Sequence, residues 1–190
     1  MARLSEPRWY VVRNMLALAQ RLSTVPSGLD AGAFLDHEDR RVRKEALALA
    51  VRDPGLREWA LAGGLVDADD RIVRMALLEI QEAIPEALVP VVVERVVKEP
   101  LDPELRALGI RALGSSRSSL ALEAIVEVCS PGKTFLGRRR LSSPSPAVLA
   151  ALAVLSERGP DEPLVREVLN AARKSKDPAI RGAVRARRDS

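Results

Sequence analysis

Apolar residues return every three or four positions over much of the chain, with polar residues between them. This spacing places the apolar side chains on one face of a helix, which can be buried against a neighbouring helix. Successive stripes of this kind are Val42, Ala46 and Leu49, then Val73, Leu77 and Ile80, then Leu105 and Ala112. The pattern therefore predicts a series of amphipathic helices.

Capping residues followed by proline mark where several of these helices begin. Asp102, Ser145 and Asp177 each precede a proline. The capping side chain accepts hydrogen bonds from free backbone N–H groups, and proline at the first helical position has no N–H to satisfy. The predicted helices are Glu6–Ala19, Asp30–Leu35, Asp39–Val51, Pro54–Val66, Asp70–Ile84, Glu86–Lys98, Asp102–Leu113, Leu120–Val128, Pro146–Leu155, Pro163–Ala172 and Pro178–Arg187.

The helices form a repeat with a period typical of two-helix units. Its signature, an Asp followed four positions later by Arg, is found at 39–43, 70–74, 102–106 and 177–181. The arginines of the first three, together with Arg13, are separated by 30, 31 and 32 residues. A longer interval after Arg106 indicates an insertion at about 133–143. The sequence thus predicts one all-α array over residues 1–190, a right-handed α-solenoid of about five and a half stacked antiparallel helix pairs.

Three stretches share an arrangement of apolar residues around the signature arginine. They are Val42-Arg43-x-x-Ala46-Leu47, Val73-Arg74-x-x-Leu77-Leu78 and Leu105-Arg106-x-x-Gly109-Ile110. These stretches resemble the HEAT-repeat family, and the likeness covers nearly the whole chain. In that family the second helix of each pair lines a concave side that usually binds a partner. The resemblance implies that Asp39–Val51, Asp70–Ile84 and Asp102–Leu113 form this inner wall.

The same resemblance implies a ladder of Asp and Arg side chains between neighbouring repeats. Its members would be Asp39, Arg43, Asp70, Arg74, Asp102 and Arg106. The fifth unit has Ser145 and Leu149 at these positions, so the ladder should be broken there. A structural role agrees with elementary chemistry, because Asp caps a helix start and a nearby guanidinium can bind a neighbouring repeat. We expect Arg74 to be partly buried in such a contact.

The composition indicates a core of small aliphatic side chains. The chain is 47% apolar but only 3% aromatic, so burial depends on Ala, Leu and Val, which allow helices to approach closely. Trp59 is predicted to pack in the core. No apolar run approaches the roughly 20 residues of a membrane-spanning helix, and the N-terminus lacks the apolar segment of a signal peptide. These features predict a cytoplasmic protein that does not enter a membrane.

The sequence predicts neither a catalytic group of residues nor a metal site. His37 is the one histidine and Cys129 the one cysteine, and they lie three units apart in the array. We expect Cys129 to be buried because its neighbours are apolar. The single His37-Glu38 pair cannot hold a metal, and Pro131–Thr134 lacks the upstream glycine of a phosphate-binding loop. The prediction is a protein that is not an enzyme and binds no cofactor.

Positive charge is concentrated towards the C-terminus. Residues 129–190 carry 13 Lys and Arg against 6 Asp and Glu, a net charge of +7, whereas residues 1–128 have a net charge of −3. The insertion is either a solvated loop or a contact for an acidic or phosphorylated protein, because Arg matches carboxylate and phosphate geometry. The candidate partner-binding residues are Lys133, Phe135, Arg138, Arg139 and Arg140.

Two functions are compatible with these features. The first is a scaffold module that binds other proteins. The alternative is binding of the nucleic-acid phosphate backbone through the basic C-terminal third. The alternative is less favoured because Glu45, Glu79 and Glu82 are mixed with the arginines of the inner-wall helices, and no aromatic stacking platform is visible.

Overall fold

The computed structural model describes residues 8–22, 26, 28–98, 101–132 and 140–184, and the regular structure in these ranges is entirely helical. The predicted all-α class is therefore confirmed for this part of the chain. The chain divides into two compact units, Met1–Ala76 and Leu77–Ser190. No helix in the described ranges is both long and apolar enough to cross a lipid bilayer.

The first unit is built around α2. Its elements are α1 (Trp9–Ala19), a 3-10 turn (Gly32–Phe34), α2 (Arg40–Ala50), α3 (Arg57–Leu65) and the start of α4 (Asp70–Glu79). Helix α2 contacts α1, the 3-10 turn and α3. The short helix predicted at Asp30–Leu35 is only this turn. Helix α3 begins three residues later than predicted, because the Asp53 carboxylate accepts the Gly55 N–H at 2.8 Å and holds a turn there.

The described residues of the second unit form three pairs of helices. After a 3-10 turn (Glu86–Leu88), the elements are α5 (Val89–Val93) with a π-helical turn (Glu94–Lys98), α6 (Pro103–Ser115), α7 (Ser119–Cys129), α8 (Pro146–Arg158), α9 (Pro163–Arg173) and α10 (Pro178–Ala183). Helices α5, α7 and α9 contact one another in that order, and so do α6, α8 and α10. Each helix of the first set also contacts its successor in the chain. These contacts arrange the unit in two layers of helices.

Small aliphatic residues form the core, as the composition predicted. Fully buried large side chains include Leu47, Leu61 and Leu65 in the first unit and Ile110, Leu113, Ile125 and Leu152 in the second. No aromatic side chain among the described residues is fully buried. The prediction that Trp59 packs in the core was wrong, because its side chain is 54% exposed. The buried face of α3 is formed by Ala60, Leu61, Gly64 and Leu65 instead.

Side-chain caps define the helix starts, and one of them differs from the sequence signature. Asp39, Asp102 and Asp177 each accept backbone N–H groups at the start of α2, α6 and α10, as predicted. At α4 the side chain of Asp69 accepts the N–H of Arg71 at 2.9 Å, so Asp70 is already the first helical residue. The cap of α4 therefore lies one position upstream of the predicted cap.

Candidate functional site

Two signature arginines fold back onto the loop that precedes their own helix. Nη1 of Arg43 donates to the backbone carbonyls of His37 and Glu38 at 2.9 and 3.0 Å. Nη1 of Arg181 donates to the carbonyls of Ser175 and Lys176 at 2.8 and 2.7 Å. Both arginines lie four positions after the capping Asp. In both places the arginine connects its helix to the incoming loop.

Arg43 also binds a carboxylate that the sequence analysis did not assign to it. Its Nε donates to Oδ2 of Asp67 at 2.8 Å, and its Nη2 donates to Oδ1 at 2.9 Å. The side chains of Arg43 and Asp67 are 18% and 8% exposed. The hydrogen bonds that Arg43 donates to Asp67 raise the pKa of Arg43 above its ordinary value. This two-point ion pair connects α2 with the turn that leads into α4.

The cap of α4, which lies one position upstream of the predicted cap, explains why Arg74 does not match Arg43. Arg43 follows its cap by four positions, whereas Arg74 follows Asp69 by five and is rotated by about 100° around the helix. Arg74 and Asp70 are both exposed, so the expectation that Arg74 is partly buried was wrong. Asp39 and Asp102 act as caps, and the carboxylate of Asp39 also pairs with Arg41 at 2.9 Å.

Arg106 has the same position relative to its cap as Arg43 but a different environment. Its Nε is buried and finds no acceptor among the described residues. The side chain lines a cavity of about 300 Å³ between α6, α7 and the start of α8. The polar residues that share this cavity are Glu127, Ser142, Ser143 and Ser145. The cavity therefore contains an unpaired buried hydrogen-bond donor, and most of its other polar side chains are neutral.

A groove lined by small side chains runs along α6, α8 and α10. It consists of two cavities of about 530 and 730 Å³ that share Arg111, Ala150 and Ala153. The remaining lining residues include Glu104, Leu149, Glu157, Arg158, Ala179 and Ala183. The lining thus combines short alanine side chains with charged side chains of both signs. The repeat pattern predicts that α6 lies on a binding wall, but it contains no signal for this groove.

Arg158, which lines one of the two cavities, binds the end of α6. Its Nη2 donates to the backbone carbonyl of Ser116 and lies within 3.5 Å of the carbonyls of Leu113 and Gly114. Burial lowers the pKa of Arg158 from its ordinary value. The guanidinium satisfies carbonyl groups that the helix leaves without partners at its C-terminus.

The predicted contact loop is only partly described. Lys133, Phe135, Arg138 and Arg139 lie outside the described residues, and the side chain of Arg140 is exposed. The end of the insertion is attached to the end of α7. The buried Ser130 hydroxyl donates to the Arg140 carbonyl at 3.0 Å, and the Ser142 N–H donates to the Cys129 carbonyl at 2.8 Å. Residues 140 and 142 therefore contribute to the fold.

The chain's one cysteine and one histidine have structural surroundings. Cys129 is buried, as predicted, and desolvation raises the pKa of its thiol to about 12. Nδ1 of His37 accepts the N–H of Asp39 at 3.0 Å in the turn before α2. Among the described residues, no group of three or more His, Cys, Asp or Glu could hold a metal ion.

Helix α1 carries a stripe of exposed apolar side chains. Met15 and Leu18 lie three positions apart on one side of α1 and are 40% and 62% exposed, and Leu22, beyond the end of the helix, is 49% exposed. Val12 and Leu16 are buried on another face of the same helix. Several exposed apolar side chains close together along the chain are typical of surfaces that contact other proteins.

Comparison of the sequence with protein-family models, with curated proteins and with solved structures gives no match. Membership of the HEAT-repeat family stays a prediction, which rests on the repeat signature in the sequence.

Proposed function

We propose that the chain is a non-enzymatic protein–protein interaction module, a HEAT-like α-solenoid located in the cytoplasm. The observation that carries this proposal is the groove along α6, α8 and α10. Its two cavities, of about 530 and 730 Å³, meet at Ala150 and Ala153 and present helix surface that short side chains leave uncovered. A partner segment can insert larger side chains there, because binding grooves are concave and mainly apolar.

The charges around the groove favour a protein over a nucleic acid. Glu104 and Glu157 line it together with Arg111 and Arg158. A phosphate backbone would be repelled by the two carboxylates, whereas a polypeptide can offer charges of both signs. The exposed apolar stripe of α1 supports the same preference.

Nucleic-acid binding remains the second candidate. It is favoured by the net charge of +7 in residues 129–190. In the proposed protein-binding function, the insertion arginines Arg138, Arg139 and Arg140 instead make added contacts with an acidic or phosphorylated partner. The two candidates differ in salt dependence, because release of counterions from nucleic acid makes affinity fall steeply with salt.

The test compares two alanine-to-arginine variants of the same chain. Peptides are selected from a displayed random library on the wild-type protein, and their affinities are measured by fluorescence anisotropy. Ala153→Arg fills the groove and should weaken binding by about tenfold or more. Ala171→Arg is the matched control, since Ala171 is also half-buried but lies on α9, outside the groove.

Two results would contradict the proposal. One is an equal loss of affinity in both variants while circular dichroism shows intact helices. The other is tight binding of a DNA or RNA duplex at physiological salt in place of any selected peptide, which would favour the second candidate.

A further inference from the structure

At three helix starts, the side chain two residues before the cap accepts the N–H of the capping residue. Asp67 precedes the cap Asp69 by two residues, and its Oδ1 accepts the cap N–H at 2.8 Å. His37 and Ser175 have the same relation to Asp39 and Asp177, with acceptor distances of 3.0 and 3.2 Å. The side chain at this position therefore lies at a fixed place in the turn before the helix.

In the first unit, this position supplies the carboxylate for the preceding signature arginine. Asp67 binds Nε and Nη2 of Arg43. The equivalent arginine of α6 is Arg106, and the equivalent turn precedes α8, whose cap is Ser145. Two residues before that cap stands Ser143, which lines the Arg106 cavity. The second unit thus has the arginine and the space, but a neutral serine in place of the carboxylate.

Two features of this cavity favour an anion, and one opposes it. The Arg106 Nε is buried without an acceptor among the described residues, and an unpaired buried donor is costly. The first turn of α8, a helix of 13 residues, contributes Ala147 and Val148 to the lining, so the positive end of a helix dipole faces the cavity. Glu127 opposes an anion, but it is exposed, and water screens its charge.

We propose that the Arg106 cavity binds a carboxylate from a partner protein, namely an Asp or Glu side chain that takes the place Asp67 occupies in the first unit. A volume of about 300 Å³ suits one side chain and its hydration, and is at the small end of ligand pockets. The guanidinium fork of arginine matches a carboxylate at two points. This site deepens the proposed protein-binding function and rests on it.

The first experiment uses sodium acetate as the probe and observes arginine Nε–Hε signals by nuclear magnetic resonance. The Arg106 signal, identified by its loss in Arg106→Lys, should shift saturably, whereas the Arg43 signal should not move because Asp67 already occupies it. Glu127→Gln should tighten acetate binding by removing the opposing charge. No saturable shift at Arg106, or saturation by inorganic phosphate but not by acetate, would overturn the proposal.

The second experiment supplies the missing carboxylate from within the chain. Ser143→Asp should pair with Arg106, raise the urea midpoint of unfolding and abolish the acetate shift, whereas the neutral control Ser143→Asn should do neither. Equal behaviour of the two variants would show that position 143 is not equivalent to Asp67, and would overturn the proposal.

The third experiment separates this site from the groove. Peptides selected on the wild-type protein should be enriched in Asp and Glu, and Arg106→Gln should weaken their binding roughly 10- to 100-fold. The matched control is Arg117→Gln, an exposed arginine in the turn after α6 that lines neither the groove nor the Arg106 cavity. Peptide binding that survives Arg106→Gln would leave the interaction module in place and refute the carboxylate site. Acetate binding with no selected peptide would support the site and refute the module.

Discussion

Replacing Asp67 should destabilise the protein more than replacing any exposed carboxylate. The Asp67→Ala variant loses two charge-assisted hydrogen bonds to Arg43, at 2.8 and 2.9 Å, from a carboxylate that is only 8% exposed. Breaking a fully buried ion pair costs about 3–5 kcal/mol. Arg43 is 18% exposed and retains its bonds to two carbonyls, so part of its charge remains solvated. We therefore expect a loss of about 2–4 kcal/mol.

Part of the stability lost in Asp67→Ala comes from the hydrogen bond within the turn before α4. A serine variant separates this part from the loss of the ion pair. Asp67 also accepts the Asp69 N–H, and Ser175 shows that a hydroxyl can fill this role in the equivalent turn. Asp67→Ser should thus retain the turn bond and lose only the ion pair. The control Asp70→Ala removes an exposed carboxylate and should change stability by less than about 0.5 kcal/mol.

Urea denaturation followed by circular dichroism measures these differences. In the double variant Asp67→Ala with Arg43→Ala, no charged partner is left unpaired, so its loss should be smaller than the sum of the two single losses by about 1–3 kcal/mol. The reasoning is refuted if Asp67→Ala behaves like Asp70→Ala, or if the two single losses simply add.

Three other predictions follow from the same structure. Arg41 lowers the pKa of Asp39 from 3.8 to about 2, so the ionised carboxylate stabilises the fold above pH 3.8 and loses this effect as the pH falls towards 2. Asp39→Asn keeps the cap, and its urea midpoint should fall less between pH 4 and pH 2 than that of the wild type. Gly64→Ala should destabilise by about 1–3 kcal/mol because a Cβ would lie 2.8 Å from a leucine methyl, whereas Gly63→Ala, with open space, should stabilise by about 0.5–1 kcal/mol. Arg74→Ala should cost less than about 0.5 kcal/mol, and a larger loss would restore it to the ladder.

Local sequence signals were sufficient for most of the helices. Asp102-Pro103, Ser145-Pro146 and Asp177-Pro178 each begin a helix at the predicted proline. The buried positions also agree, since Val42, Ala46 and Leu49 are all fully buried. Caps and helical spacing act over one or two turns, so a short window of sequence contains the physical cause.

The contacts of the signature arginines depended on the tertiary structure. The partner of Arg43 lies 24 residues away in the sequence, in a turn with three aspartates, and only the packing of α2 beside that turn selects Asp67. The single-residue shift of the α4 cap turned Arg74 towards solvent although its motif matches that of Arg43.

The Arg106 cavity and the alanine-lined groove likewise required the three-dimensional structure. Spacing along the chain places Arg106 on a helix face. It does not show that Arg106 lies beside Ser143, a residue without a carboxylate, and that its Nε is left without an acceptor among the described residues. The sequence by itself determined most of the helical segments and most of their buried positions, but not the 3-10 turn at Gly32–Phe34 or the exposure of Trp59. Side chains from different turns form hydrogen bonds only when their polar atoms lie within a few ångströms of each other. Those distances are set by how the helices pack.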